Sequence, residues 1–201
     1  MAGTARPGGR TARNRAAVLD AVRAELAEAG YAGTTVDRIA QRAGVAKTTV
    51  YRRWGSIEGL VVDLLGELSA AAIPLPDTGD VESDLRDLAR GIVALLQDPV
   101  DSAPVTAVIA AAIHTPAARQ ALTDFYAARI RHAAHLVDRA VERGQLPAGT
   151  DAVEVIRLVG APIYYRALVT GEPIDDAVAH RAAAAAVAAA RAGAATTTPD
   201  H

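Results

Sequence analysis

Apolar residues recur along most of this chain at intervals of three and four, the spacing of helices that bury one face. Val18, Val22, Leu26 and Ala29 predict a first helix over about 11–29, stopped by Gly30. Val36, Ile39, Ala40 and Ala43 mark the buried side of a short second helix. Thr34, with Asp37 three positions on, reads as its capping box, Asp standing in for the usual Glu or Gln. Gly44 supplies a turn in which a positive φ is cheap. A third helix over 47–54 places Val50 and Trp54 one turn apart on its inner side, with Thr48 and Arg52 opposite Val50 at about 100° per residue. Ser56 is placed to cap a fourth helix running through Leu60, Leu64, Leu65 and Leu68, which Ile73, Pro74 and the run to Gly79 break.

The remainder reads as helical hairpins. Leu85, Leu88, Ile92, Leu95 and Leu96 define a fifth helix ending at Asp98 and Pro99, and a sixth covers 105–113. Thr115 and Pro116 open a seventh that reaches Arg143 and stops at Gly144. The eighth spans about 151–170, with Pro162 inside it as a kink and Gly171 after it. The ninth begins near Asp175 and enters the alanine run 182–190, and residues from Thr196 on are expected to fray.

The chain is 51% hydrophobic, much of it alanine, with one Phe and one Trp. Alanine is the best helix former and the usual sheet residues are sparse, so an all-α fold is expected. The absence of cysteine excludes disulfides, thiolate zinc sites and thiol nucleophiles. Neither a secretory leader nor a membrane span of about 20 apolar residues is evident, so the expectation is a cytoplasmic protein without a membrane partner. Charge is divided: residues 1–55 carry +6 and the rest −8, although the formal net charge is only −2. A basic front on an acidic body suggests that only the front meets a polyanion.

The third helix makes that suggestion specific. Its outer side bears only Lys, Arg and Thr, which fits a DNA major groove. Lys47, the only lysine in the chain, is either an ordinary surface charge or a phosphate contact. Arg52 projects opposite the core, where guanine recognition is possible, and Arg53 lies further round, nearer a phosphate. Thr48 and Thr49 can touch a thymine methyl or donate a hydroxyl, and Tyr51 is core or phosphate contact. Thr35 opens the second helix, where backbone N–H groups favour phosphate. Residues 1–10, rich in Gly, Pro and Arg, are expected to be disordered. Arg6, Arg10, Arg13 and Arg15 precede the first acid, Asp20, so this stretch is a solvated tail or an arm along DNA.

Residues 11–68 resemble the DNA-binding domain of the tetracycline-repressor (TetR) family of bacterial regulators. The resemblance is carried by Thr35-Val36-x-x-Ile39-Ala40, the turn Ala43-Gly44-Val45, and Thr49-Val50-Tyr51-Arg52-Arg53-Trp54. Nine helices over about 200 residues fit the family throughout, and 162–166 with 171–173 resemble one subset of it. The resemblance implies a disordered arm (1–10), a helix-turn-helix domain (11–55), a ligand-binding and dimerisation domain (56–195) and a disordered tail (196–201). It further implies a homodimer on a palindromic operator of double-stranded DNA, commonly a repressor. A small-molecule effector in the C-terminal domain alters the spacing of the two reading heads and releases DNA. The family places the Tyr51 hydroxyl on phosphate and builds the dimer as a four-helix bundle from the last two helices of each subunit. Three positions depart from the pattern. Ala46 replaces a capping Ser, Thr48 replaces Gly, and Ile57 replaces a Lys that meets phosphate.

In the C-terminal part, Leu122, Phe125, Tyr126, Ala133, Leu136 and Ala140 form one stripe on the seventh helix, with Arg129 and His132 inside it. A charge there requires a partner. Either a neighbouring acid pairs with it or its stem snorkels outward, or both residues line a pocket for an anionic or polar ligand. His114 is at the same pocket or merely exposed. A mostly apolar effector pocket is expected among helices four to seven, with Leu64, Leu68, Ile92, Leu96, Ile109, Phe125 and Tyr164 as walls, unless these are plain core. His132 and His135 have a metal-compatible spacing but no third ligand, so no metal and no cofactor are expected. The alanine run is an exposed tail or a packing surface of the dimer, with Ile156, Val159, Ile163, Leu168 and Val178 as its larger contacts. Dinucleotide, phosphate-loop, zinc-protease and nucleophile-elbow motifs are absent, which argues against an enzyme. The alternative is a helical sensor or partner-binding protein that has lost operator binding.

Overall fold

The computed structural model describes residues 8–70 and 75–196, with side chains over 11–68 and 75–196. Residues 1–7 of the expected arm, the break at Ile73 and Pro74, and the tail 197–201 lie outside the described residues. Within them the fold is all-α: α1 (Gly8–Gly33), α2 (Val36–Ala43), α3 (Lys47–Trp54), α4 (Ile57–Ala70), α5 (Val81–Gln97), α6 (Pro99–Ala112), α7 (Pro116–Glu142), α8 (Ala152–Tyr165) and α9 (Asp176–Arg191). The chain forms two compact units. One holds α1–α4, α6 and the first turns of α7 to Phe125; the other holds α5, the rest of α7, α8 and α9. The first unit is thus larger than the 11–55 segment marked out by the helix-turn-helix pattern.

In the first unit, Val18, Leu19, Val22 and Leu26 of α1 bury themselves with Ile39, Val50, Leu60, Leu64, Val105 and Val108. The helical path breaks at Gly30 (φ 65°, ψ 177°), as its position after the last periodic residue predicts. α1 begins at Gly8, so the last three residues of the expected arm are helical. The cap of α2 is Thr35, not Thr34. Thr35 is the extended residue that leads in, and its Oγ1 accepts the Arg38 N–H at 3.3 Å. Thr34 is buried and donates its hydroxyl to the Gly30 carbonyl at 2.7 Å, closing the break. Gly44 turns the chain in the left-handed region (φ 67°). Ser56 caps α4, accepting the Gly59 N–H at 3.3 Å. At Gly59 the corner is so tight that a Cβ would lie 2.1 Å from the Trp54 carbonyl oxygen.

α6 starts six residues earlier than its expected beginning at 105. Pro99 occupies the first helical position, where a missing N–H costs nothing. Pro104 follows inside the helix without ending it. The Thr106 hydroxyl donates to the carbonyls of Ser102 and Ala103, both at 3.1 Å.

The second unit packs Leu85, Ala89 and Val93 of α5, Leu136, Val137 and Ala140 of α7, and Val155, Val159 and Ile163 of α8 around an alanine face of α9. Asp175 caps α9, accepting the Val178 N–H at 2.9 Å. The helix continues through Pro162; the departure from α geometry falls later, in a π-helical turn at Arg166–Thr170 closed by Gly171 (φ 66°). The chain is held as far as Thr196, which pairs with Thr150, so the expected fraying does not begin there.

Candidate nucleic-acid interface

α3 covers the residues its periodicity predicts, and Val50 alone among them is fully buried. Lys47, Thr48, Tyr51, Arg52 and Arg53 are all exposed, and Thr49 is half-buried. Tyr51 keeps 51% of its surface open, so it is not core. Ala46 leads into the helix with no side-chain cap bond. The missing cap is partly offset at the other end, where Arg52 and Arg53 in the last turn complement the helix dipole.

Two features of this face were not visible in the periodicity. Lys47 pairs with Asp37 in the first turn of α2, so it already holds an anion. Arg53 lies over the Trp54 ring, its Cζ 5.1 Å from the centroid, a cation–π arrangement that fixes a long side chain. A cleft of about 280 Å³ opens beside it, lined by Thr11, Asn14, Arg15, Thr49, Arg52 and Arg53 together with Val18 and Trp54. The guanidiniums of Arg52 and Arg53 with three uncharged polar side chains suit a phosphodiester, while that of Arg15 is held by Asp63 and Glu67 of α4.

Carboxylates on α1 and α4 hold this platform. Glu25 is 3% exposed and accepts from Arg38 Nε at 2.5 Å and Arg42 Nε at 2.8 Å, tying α1 to α2. Burial pushes its carboxyl up, but the two arginines outweigh this and hold it below the ordinary value. Glu28 takes the other end of Arg42. Tyr31 donates to Glu58 of α4 at 2.8 Å; burial, then that carboxylate, pushes the phenol up to about 12. The sequence did carry a signal for Glu25, seven residues after Val18 and hence on the apolar stripe of α1. Asp63, alone within the apolar run of α4, was marked in the same way.

Residues 18–64 match the model of the bacterial regulatory proteins of the tetR family, and 75–186 match the tetracyclin repressor-like C-terminal domain. The chain belongs to the TetR family. It is 30% identical over 173 residues to the HTH-type transcriptional regulator AqdR of Rhodococcus erythropolis, covering 86% of this chain and 83% of AqdR. It is 29% identical over 161 residues to the regulator YdeS of Bacillus subtilis, covering 80% and 81%. Among solved structures, the TetR-family transcription regulator SCO0332 superposes with a TM-score of 0.68 at 31% identity, over 87% of this chain and 97% of that one. This TetR-family chain is therefore a helix-turn-helix transcriptional regulator and not an enzyme.

The residues expected at the effector site divide between the two units of this TetR protein. Leu64, Leu68, Ile109, His114 and Phe125 lie in the first; Ile92, Leu96, Arg129, His132 and Tyr164 lie in the second. Leu64 and Phe125 are buried, Leu68, Ile92, Leu96, Ile109 and Arg129 are half-buried, and His114 is exposed just past the end of α6. His132 is a correction. The buried face of α7 is centred on Val137, with Ala133, Ala134, Leu136 and Ala140, and His132 lies about 140° round the helix from Val137. It is exposed, edge-on to His135 at 6.5 Å, and outside the stripe. The second unit does bring Tyr126, Arg129 and Tyr164 together. The tyrosine rings meet edge to face with centroids 5.5 Å apart. Burial pushes both phenols up, and the Arg129 charge opposes this.

Of the expected dimer contacts, Ile156, Val159, Ile163 and Val178 are buried within the second unit, against α5 and between α8 and α9. Only Leu168 is exposed, beside Tyr165 and Val169. Periodicity had located an apolar face on each helix, but that face is the one each helix turns to its own neighbours. Among the described residues no cluster of three or more His, Asp or Glu could hold a metal ion, and no single helix is long and apolar enough to cross a membrane.

Proposed function

We propose that this regulator is a cytoplasmic homodimeric repressor that reads a palindromic operator with α3 and leaves it when a small molecule binds. One observation carries the reading: α3 buries Val50 and turns Lys47, Thr48, Tyr51, Arg52 and Arg53 to solvent beside an arginine-lined cleft. Arg52 reads base edges, with Thr48 and Thr49 beside it. Lys47, Tyr51, Arg53 and the amino end of α2 at Thr35 meet phosphates. The dimer forms through the outward side of α8, the π-helical turn after it and α9, where Ala161, Tyr165, Leu168 and Val169 on the one hand and Ala177, Ala184 and Ala188 on the other are exposed. Small residues there let helices approach closely. The effector is a largely apolar molecule bearing an oxygen, recognised by Arg129 and Tyr164 with Tyr126 beside them, and Ile92 and Leu96 as apolar wall.

Selection of bound fragments from the source genome tests this reading. An enriched palindrome with two half-sites one helical turn apart supports it. No enriched sequence sinks it and favours a sensor that does not bind DNA. On the recovered operator, Arg52→Ala is expected to cost about 1–3 kcal/mol and to relax one base position. Lys47→Ala should weaken all sequences alike and lower the salt slope by about one. Equal losses for both variants on every duplex would remove the division of roles.

A further inference from the structure

Asp63 stands alone in an apolar stretch of α4, between the fully buried pairs Leu60, Val61 and Leu64, Leu65. Its carboxylate is the meeting point of three helices. Arg15 of α1 grips both oxygens, Nη2 to Oδ1 at 2.7 Å and Nε to Oδ2 at 3.0 Å. The indole N–H of Trp54, the last residue of α3, donates to the same Oδ2 at 2.8 Å. Burial pushes the Asp63 carboxyl up, and these donors outweigh it, keeping the group ionised. From Trp54 the contact continues outward to the guanidinium of Arg53 above the ring.

The need for such a contact follows from the size of α3. Eight residues with one fully buried side chain, Val50, leave the rotation of the helix about its own axis weakly fixed. Apolar contact is non-directional, so it resists roll poorly. A hydrogen bond to a charged acceptor is directional, and it acts one turn away from Val50. We propose that Asp63 is a positioning residue for operator recognition: through the Trp54 indole it sets the roll of the reading helix, and through Arg15 it anchors that setting to α1. This rests on the reading of α3 as the DNA-reading helix.

The test uses the full chain as wild type, Asp63→Ala, Asp63→Asn, Trp54→Phe and the Asp63→Ala/Trp54→Phe double variant. Each is titrated against the operator recovered by fragment selection and against a scrambled duplex of equal length. Trp54 is the only tryptophan, so its emission reports the indole bond directly in the two Asp63 variants. Asp63→Ala and Trp54→Phe are each expected to lower the operator-to-scrambled affinity ratio about tenfold. The double variant should fall no further, because both changes cut the same link. Trp54→Phe alters no charge, so its loss is not electrostatic. Asp63→Asn keeps a neutral acceptor and should fall between, and Trp54 emission should shift in Asp63→Ala before any DNA is added. An unchanged ratio, additive losses, or equal weakening on both duplexes that follows the melting temperature would overturn the proposal alone. A wild-type chain that selects no sequence would overturn the reading of α3 and the proposal with it.

Discussion

The two compact units solve the same problem, fixing the angles between helices, by opposite means. In the first, α2 and α3 are eight residues each and bury three and one residues respectively. Their orientation comes from directed polar bonds: Glu25 to Arg38 and Arg42, Glu58 to Tyr31, and Asp63 to Arg15 and Trp54. In the second, α9 runs sixteen residues and sets Ala179, Ala182, Ala183, Ala186 and Ala190 against α5 and α8. Its ion pairs, Arg90 with Asp176 and Arg191 with Glu82, are surface contacts worth little each. Short elements have too little apolar area to be held by burial alone, so geometry there is specified by charge. Long ones can rely on close packing of small side chains.

The most severe break in this contrast is expected from Gly59→Ala. The added Cβ meets backbone rather than a yielding side chain, so the α3–α4 corner must open. The cost should reach about 3 kcal/mol, the upper end for overpacking, with operator binding lost. Thermal melts together with DNA titration check this; a stable, binding-competent variant would show that the corner is not tight. Next, Ala186→Leu in the packed face of α9 should destabilise by about 2 kcal/mol while the surviving folded protein retains its DNA-binding face. Denaturant melts decide it, and a neutral effect would mean that the second unit is not held by close packing.

Glu25→Gln should cost about 1–2 kcal/mol, since two arginines lose their charged acceptor. It should also change the acid response. The folded Glu25 carboxyl lies below its ordinary value of 4.5, so its contribution is present above that value and is lost as pH falls through the lower, folded one. Below about pH 4.5, where the carboxylate takes up its proton, the Gln variant should therefore show a flatter stability curve than wild type. Parallel curves would assign the acid response elsewhere. The smallest effect is a gain. Ala46→Ser restores a cap at an N-terminus with no side-chain bond and should add about 0.5–1 kcal/mol. If the melting temperature does not rise, the entry to α3 is already satisfied.

The same division explains how much could be read from the sequence. α3 was delimited to the residue, and α2 to within one at its start, because Gly44 and the buried positions Val36, Ile39 and Val50 leave one register possible. The solvent-facing side chains of α3 followed, since a helix with a single buried stripe has only one outside. In the second unit the stripe misled. Ile156, Val159, Ile163 and Val178 are apolar because they pack within the subunit, and periodicity does not say which neighbour covers a face. Alanine gives the pattern no contrast, so the outer and inner sides of α9 look alike in sequence. His132 was assigned to the wrong side by the same route, from a stripe centred one position away from Val137. Pro99 read as the end of α5, although the first turn of a helix accepts proline, and α6 was begun six residues late. The polar links, Asp37 to Lys47 and Asp63 to Trp54, join residues on different helices, and linear spacing carries no record of them.

The Lys47–Asp37 pair has a consequence of its own. On the proposed reading, with its single ammonium already paired with a neighbouring carboxylate, the reading head offers this charge to DNA only by exchange. Both partners are solvent-exposed, so the exchange costs little. A phosphate arriving there displaces the acid whatever bases lie beneath it, and the lysine adds the same increment to every duplex.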